Sequence, residues 1–145
     1  MSGSPDLQRF VDAQDAGGTY EQALGELRAG RKRGHWIWFV LPQVAGLGRS
    51  GTAQHYALAD LAEARAYLAH PVLGTRLRTC AQALADLPGG DPVAVLGDVD
   101  ALKACSSMTL FARAADAAGE DAGVFRAVLD RYYGGREDAA TTSRL

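Results

Sequence analysis

Most of the chain repeats apolar residues every three or four positions, which is the spacing of an amphipathic α-helix. The clearest stripe consists of Leu73, Leu77, Cys80, Leu84 and Leu87. Together with glycine and proline stops, this pattern predicts helices over residues 7–14, 19–30, 53–58, 61–69, 71–87, 92–96, about 98–117 and 124–133.

Two helix starts carry the spacing of a capping box. Thr19 is followed three residues later by Gln22, and Asp60 is followed three residues later by Glu63. In such a box the first side chain accepts a hydrogen bond from a backbone N–H of the helix, and the second side chain accepts one from the backbone N–H of the first residue. We therefore expect helices to begin directly after Thr19 and Asp60.

The segment 36–41 departs from the helical pattern. It is rich in aromatic and β-branched residues, and Pro42 biases the residue before it toward extended geometry. If the segment is extended, Trp36 and Trp38 share one face, because alternate residues of a strand point to opposite sides. No second segment of comparable strength is present, so the sequence predicts an extended piece without a sheet.

These elements indicate an all-α protein, a compact single-domain bundle of about seven short helices with one extended aromatic segment. The length of 145 residues and the mass of 15.3 kDa suit one helical domain over residues 1–145. Alanine and leucine greatly outnumber valine and isoleucine, which favours helices over a sandwich or a barrel. With 48% hydrophobic and 22% charged residues, the composition is that of a folded chain rather than a disordered one.

Charge and hydropathy narrow the choice of partners. The formal net charge is −2, so the protein lacks the long-range field that attracts nucleic acid, which is not an expected partner. The longest apolar run, residues 36–41, is far shorter than the roughly 20 residues of a membrane-spanning helix. Residues 1–6 lack the pattern of a secretion signal. We expect a cytoplasmic protein without a membrane partner, and homo-oligomer formation is left open.

The cysteines and histidines do not indicate a metal site. Cys80 and Cys105 fall at apolar positions of predicted helices, where thiols act as small core residues rather than as a disulfide. His35, His55 and His70 lack metal-ligand spacing with one another or with the cysteines. Neither a metal nor a cofactor is therefore expected.

A glycine-rich segment follows the aromatic one. Gly46, Gly48 and Gly51 fit the pattern G-x-G-x-x-G, in which glycines let a nucleotide phosphate approach the backbone. A dinucleotide-binding fold is excluded, because that motif requires parallel strands and only helical patterns follow it here. Two interpretations stay open. The backbone N–H groups and the next helix bind a phosphate or a carboxylate, or the glycines only permit a turn after Pro42.

Three basic residues, at positions 31–33, directly precede the aromatic segment. Cations beside indole rings are typical of sites for nucleobases and phosphates. The alternative interpretation is structural. In it, the basic residues lie in solvent at the end of a helix, while Trp36 and Trp38 anchor the core.

Two further pairs bring polar groups onto predicted helices. His55 and Tyr56 follow the glycine-rich segment closely enough to join an anion site, although a histidine on a helix is more often a surface residue. Lys103 and Ser106 lie three positions apart on a predicted helix, so the amine can approach the hydroxyl, as a lysine-activated serine nucleophile requires. The serine can equally bond to its own helix backbone. No catalytic residue is assigned.

Several blocks of sequence are recognisable together. They include Lys32-x-x-His35-Trp36-x-Trp38-Phe39-x-x-Pro42-Gln43-x-x-Gly46-Leu47-Gly48-x-Ser50, Tyr56-Ala57-Leu58, Lys103-x-x-Ser106-Ser107-Met108-Thr109-Leu110-Phe111 and Phe125-x-x-Val128-Leu129-Asp130-x-Tyr132-Tyr133-x-Gly135. Spread over nearly the whole chain, they resemble the bacterial family catalogued as domain of unknown function 1810. The resemblance implies a compact, mostly helical domain and brings no activity with it. Some members carry the label calpastatin, an inhibitor whose disordered composition this chain does not share.

A fainter similarity is to the NADAR group, helical enzymes that remove ADP-ribose from nucleobases. Their helix carries an acidic residue just before a His-Tyr pair. Here Gln54 precedes His55 and Tyr56, and glutamine cannot supply that carboxylate. The similarity therefore implies ligand binding rather than that reaction.

Two hypotheses follow for the function. In the first, the protein binds an anionic small molecule, phosphate-bearing or nucleotide-derived, with or without turning it over. In the second, it is a non-enzymatic protein–protein interaction module whose aromatic segment belongs to the core. The candidate ligand-binding residues of the first hypothesis are Arg31, Lys32, His35, Trp36, Trp38, Gln43, Gly46, Gly48, Arg49, Ser50, His55, Tyr56, Lys103 and Ser106.

Overall fold

The computed structural model describes residues 6–145, and the regular secondary structure of this part of the chain is almost entirely helical. The helices, numbered in chain order, are α1 (Gln8–Asp15), α2 (Thr19–Ala29), α3 (Ile37–Val40), α4 (Gly51–His55), α5 (Leu61–Ala69), α6 (Leu73–Asp86), α7 (Pro92–Leu96), α8 (Asp98–Ala118), α9 (Gly123–Tyr133) and α10 (Ala139–Thr142). A 3-10 turn, Ala16–Gly18, joins α1 to α2. Within residues 6–145 the extended pairing is limited to one isolated bridge, Val44 with Leu58. The predicted all-α class is confirmed.

The start of the chain is covered only in part. Residues 1–5, on which most of the prediction about a secretion signal rests, lie outside the described residues. Within residues 6–145, no helix combines the length and the apolar character that crossing a membrane requires.

The two predicted capping boxes have different outcomes. The Asp60 cap is confirmed, because Asp60 Oδ1 accepts from Glu63 N at 2.9 Å. The reciprocal bond lies one residue earlier than in a capping box, because Glu63 Oε1 accepts from Ala59 N at 2.7 Å. The Thr19 box is wrong. The 3-10 turn runs directly into α2, so Thr19 is already inside the helix, and its hydroxyl donates backward to Ala16 O at 2.6 Å.

Helix α8 is the central element of the core. It packs against α3, α5, α7, α9 and α10, while α6 packs against α2, α5 and α9. The predicted stripe on α6 is confirmed, since its first four members are fully or almost fully buried and Leu87 packs at the edge. Cys80 and Cys105 are free thiols, and loss of contact with water raises the pKa of Cys80 to about 12.

The prediction of an extended aromatic segment is wrong. Residues 37–40 form a single helical turn, α3, in which Leu41 N donates to Ile37 O at 3.0 Å and Val40 N donates to Trp36 O at 3.1 Å. A lone strand would leave its backbone groups unpaired in the interior, whereas a helical turn pairs them locally. Because successive helix residues are about 100° apart, Trp36 and Trp38 point to nearly opposite sides. Trp36 is only 1% exposed, and Trp38 is half-buried.

A buried polar network holds α3 in place. Gln14 is almost fully buried, and its Nε2 donates to Phe39 O at 2.7 Å and to Tyr67 Oη at 3.1 Å. Its Oε1 accepts from Arg76 Nη1 at 3.2 Å. One glutamine thus connects α1, α3, α5 and α6, and its burial is tolerated because both ends of its amide are hydrogen-bonded.

Candidate functional site

An open cleft of about 510 Å³ lies between the segment that follows α3, the first turns of α8 and the residues leading into α10. Its volume falls in the range of small-molecule sites, roughly 300–1,000 Å³. The lining residues are Trp38, Gln43, Val44, Leu47, Gly48, Arg49, Ser50, Ala53, Tyr56, Ala57, Val99, Leu102, Lys103, Ser106, Asp138 and Ala140.

The glycine-rich segment forms one wall of this cleft as a closed loop. Leu58 N donates to Gln43 O at 2.9 Å and Ala45 N donates to Leu58 O at 2.7 Å, so the two ends of the loop are joined. Inside it, Gly46 has φ +97° and lies so close to the Arg144 guanidinium that a side chain would collide with it. Glycine at this position is favoured by the positive φ, whereas the end of the flexible Arg144 side chain can move aside.

The end of this loop carries an internal helix cap. Ser50 Oγ accepts a hydrogen bond from Ala53 N at 3.0 Å, which caps α4. Gly48 lies against Ala53, so that a Cβ on residue 48 would be 2.6 Å from that methyl group. A turn after Pro42 is therefore observed, and anion binding by the backbone N–H groups of the loop stays a prediction.

Arg9 holds the far side of the loop, a role that sequence reasoning missed. Its Nε donates to His55 O at 2.8 Å and its Nη2 donates to Ala57 O at 3.1 Å. The guanidinium lies 4.5 Å from the ring centroid of Phe10. The only signal in the sequence was an arginine beside an aromatic residue on α1, and its partners are nearly fifty residues away.

Lys103 lies on the indole of Trp38 inside the cleft. Its Nζ is 4.5 Å from the ring centroid, in a cation–π contact. The nearest carboxylate oxygen, Asp100 Oδ1, is 3.8 Å away, and within residues 6–145 the ammonium makes no hydrogen bond. The side chain is 24% exposed. Its three N–H donors are therefore available to a molecule in the cleft.

Lys32 and Trp36 form a second pair of the same kind, outside the cleft. Lys32 Nζ lies 4.9 Å from the Trp36 ring centroid, 2.6 Å from Asp100 Oδ2, and also donates to Gly34 O. Its side chain is only 6% exposed. This lysine is fully engaged by the protein.

Glu26 anchors the chain around Trp36. Its Oε1 accepts from Arg33 N at 2.7 Å, from Gly34 N at 2.9 Å and from Trp36 Nε1 at 2.9 Å. Desolvation would raise the pKa of Glu26, but these hydrogen bonds and one from Gln22 outweigh it and lower the pKa to about 2. The charged carboxylate is thus a structural part of the fold.

Asp138 and Ser106 are hydrogen-bonded polar residues of the cleft lining. Asp138 caps α10, with its Oδ2 accepting from Thr141 N at 3.0 Å and from Thr141 Oγ1 at 2.6 Å. Ser106 Oγ lies 3.2 Å from that same oxygen and 3.2 Å from Leu102 O. The serine bonds to its own helix and to Asp138, while Lys103 is not among its hydrogen-bond partners in the described residues. The geometry gives no support to a lysine-activated serine.

The structure gathers only part of the candidate set into one site. The members that line the cleft are Trp38, Gln43, Gly48, Arg49, Ser50, Tyr56, Lys103 and Ser106. The others lie elsewhere: Arg31 in a shallow groove beside α2, Lys32 and Trp36 around Glu26, His35 exposed, Gly46 under Arg144, and His55 exposed with its ring against Tyr56.

Eight lining residues were not among the sequence candidates, among them two exposed large apolar residues and one carboxylate. Val99 and Leu102 are 63% and 72% exposed at the rim, and Asp138 projects from the far wall. In the sequence, Val99 and Leu102 are ordinary apolar residues of a predicted helix. Asp138 resembles an ordinary helix cap. Their place in one site with Lys103 is visible only in the folded protein, where they line the same cleft.

Comparison with known proteins places the chain in a family. A family model described as protein of unknown function DUF1810 matches residues 4–145, so the chain belongs to this family, as its sequence blocks predicted. The crystal structure of the conserved hypothetical protein Rv1873 from Mycobacterium tuberculosis is similar, with 50% identity and a TM-score of 0.90 over 97% of this chain and 96% of that one. The chain has no significant match among curated proteins.

Proposed function

We propose that the protein binds a small phosphate-bearing molecule of the nucleotide type in the cleft beside Trp38. The observation that carries this proposal is the position of Lys103, whose ammonium lies over the Trp38 ring with none of its N–H donors hydrogen-bonded in the described residues. A cation with unused donors next to a flat ring matches a ligand that combines an anionic group with an aromatic one.

Charge on the cleft wall supports an anionic ligand. Arg49 is exposed in the glycine-rich loop, and its side chain forms no ion pair within residues 6–145. Asp100 neutralises Lys103 only weakly, because its close partner at 2.6 Å is Lys32 whereas Lys103 is 3.8 Å away. Two cations therefore face the cleft, and phosphate is the common ligand of such a pair.

The apolar part of the cleft supports a ligand that is larger than free phosphate. The half-buried rings of Trp38 and Tyr56 lie on the cleft wall, and Val99 and Leu102 are exposed at its rim. Aromatic and aliphatic walls with a few placed polar groups are the usual composition of small-molecule sites. A base or another flat ring would cover this surface while its phosphate reaches the cations.

Thermal unfolding with a set of nucleotides and with inorganic phosphate tests the proposal. A bound ligand at 100 times its Kd raises the free energy of unfolding by about 2.7 kcal/mol. In Lys103→Met the aliphatic stem is kept and the ammonium is lost, so we expect the shift in Tm to fall by more than half. Arg31→Gln is the matched control, because it removes one positive charge outside the cleft and should leave the shift unchanged.

Two results would contradict binding in the cleft. One is the absence of any Tm shift with the whole nucleotide set. The other is an equal loss of the shift in Lys103→Met and in Arg31→Gln, which would point to general charge rather than to this site.

A second candidate function, an interaction module, is favoured by one observation. Val99 and Leu102 lie one helical turn apart on α8 and expose 63% and 72% of their surface, which is uncommon for large apolar residues that have no partner. Under this alternative, Leu102→Ser lowers the affinity for a protein partner or a second copy, measured by sedimentation, and no nucleotide shifts the Tm.

A further inference from the structure

Asp138 is held rigidly from both sides. Its backbone N donates to Thr109 Oγ1 at 2.9 Å, while its Oδ2 accepts the two hydrogen bonds from Thr141 and the 3.2 Å contact from Ser106. Because a carboxylate is planar, fixing the backbone and Oδ2 also fixes the direction of Oδ1. Asp138 is among the residues that line the cleft, and its second oxygen is held in one orientation.

This second oxygen is not used by the protein. Asp138 Oδ1 accepts no hydrogen bond within residues 6–145, and no lysine or arginine of that range lies at ion-pair distance from the carboxylate. Each carboxylate oxygen can accept two hydrogen bonds. The lining of the cleft therefore includes a carboxylate with an unused acceptor oxygen, together with the cationic donors of Lys103 and Arg49.

A phosphate group does not suit this acceptor. Ionised phosphate oxygens bring no hydrogen to donate, and they carry the same sign of charge as the carboxylate. A hydroxyl group does suit it, because it donates one hydrogen bond and its partner here is charged, which makes the bond stronger than a neutral one.

We infer that Asp138 is a specificity-determining residue, whose Oδ1 accepts a hydrogen bond from a hydroxyl group of the ligand. This inference rests on the proposed function and narrows its ligand class. The ligands selected are phosphorylated compounds that also carry hydroxyl groups, as sugar phosphates and ribonucleotides do, rather than phosphates without them.

The test compares ligands with and without hydroxyl groups on the unaltered protein. Calorimetric titration uses adenosine 5′-monophosphate, its 2′,3′-dideoxy analogue, ribose 5-phosphate and inorganic phosphate. A hydrogen bond to a charged acceptor corresponds to roughly 10- to 100-fold in affinity. We expect the ribonucleotide to bind by that factor more tightly than its dideoxy analogue, and ribose 5-phosphate more tightly than inorganic phosphate. The ratio of the affinities for adenosine 5′-monophosphate and ribose 5-phosphate measures the contribution of the base.

Asp138→Asn provides a test from the protein side. Asparagine is as good a helix cap as aspartate, and its amide oxygen can keep the bonds from Thr141 while an NH₂ group replaces Oδ1. We expect the preference for hydroxyl groups to fall, because a ligand hydroxyl can only accept a neutral hydrogen bond from the new NH₂ group. The dideoxy analogue should bind as well or better, because a negative charge near its phosphate is lost. Asp98→Asn, which changes an exposed aspartate at the first residue of α8 and outside the cleft, is the control and keeps the preference.

The possible failures are distinguishable. Equal affinity for the ribonucleotide and its dideoxy analogue overturns the role of Asp138 and leaves phosphate binding intact. The same conclusion follows if Asp138→Asn keeps the full preference. If none of the four probes binds the unaltered protein, the proposed function and this inference fall together.

Discussion

Lys32 with Trp36 and Lys103 with Trp38 are the same pair of residue types in two different environments. These are the two tryptophans and the only lysines of the chain. Both ammonium groups lie over an indole, at 4.9 Å and 4.5 Å from the ring centroids, and both face Asp100. The first pair is buried with its polar atoms bonded to Glu26, Asp100 and Gly34, whereas the second borders an open cleft with its ammonium unbonded in the described residues.

The contrast shows how a structural cluster can be told apart from a ligand site of the same composition. Around Trp36 the donors and acceptors are matched within the protein, so a ligand would have to displace existing bonds. Around Trp38 the donors of Lys103 have no such partners. The difference predicts that changes to the first pair reduce stability and that changes to the second reduce binding.

Truncating the two tryptophans should give the largest separation. Trp36→Ala removes a fully buried ring and leaves Glu26 without one of its donors, so the free energy of unfolding should fall by roughly 3–5 kcal/mol. Trp38→Ala removes a half-buried ring and should cost less than about 2 kcal/mol. Urea unfolding of both variants measures the difference, and equal costs would show that Trp38 also serves mainly as core.

Replacing the two lysines should give a smaller separation in the same direction. Lys32→Met leaves the Asp100 carboxylate without its 2.6 Å partner, which should cost about 2 kcal/mol in unfolding free energy. Lys103→Met should change stability by less than about 0.5 kcal/mol, while it weakens nucleotide binding. If Lys103→Met destabilises as much as Lys32→Met, the ammonium of Lys103 is a structural group.

The decrease in the free energy of unfolding at acid pH should depend on Glu26. This is the smallest of the three expected effects. Because the pKa of Glu26 falls from its ordinary 4.5 to about 2 on folding, its carboxylate stabilises the protein fully above pH 4.5. This contribution is lost as the pH falls from about 4.5 toward 2. Glu26→Gln should cost about 1–2 kcal/mol at neutral pH, and the gap to the unaltered protein should narrow over that acid range.

Urea midpoints at pH 7 and pH 3 measure this narrowing. Glu21→Gln, an exposed glutamate on the same helix, is the control and should follow the unaltered protein. A gap for Glu26→Gln that stays constant between the two pH values would show that the carboxylate is not held in its charged form by the bonds around Trp36.

The helical elements were predictable from sequence because their signals are local. Apolar spacing located α5, α6, α8 and α9, and the Asp60 capping box marked the first turn of α5. The Thr19 box failed because a preceding 3-10 turn, which has no strong sequence signal, was already continuous with the helix. Segment 36–41 failed because intrinsic preference for extended geometry is weak compared with the need to pair backbone groups in a buried position.

The candidate site was predictable in its residue types and only partly in its members. Cations, tryptophans and glycines close together in sequence indicated a ligand site, and Lys103 and Ser106 entered it from a distant helix as weak candidates. The same pattern could not separate Trp36 from Trp38, because that separation depends on the helical turn that carries them. Asp138 was not predicted as a site residue, because it reaches the cleft that Lys103 lines only through the packing of α10 against α8.

The sequence by itself determined the helical class, most helix positions and the family of this protein. Apolar periodicity and sequence blocks are formed by residues that are close together along the chain. Tertiary structure alone decided which lysine and which tryptophan remain available to a ligand. That outcome depends on whether each polar group finds a partner within the fold. The partners come from distant positions, as Glu26 does for Trp36 and Asp100 does for Lys32.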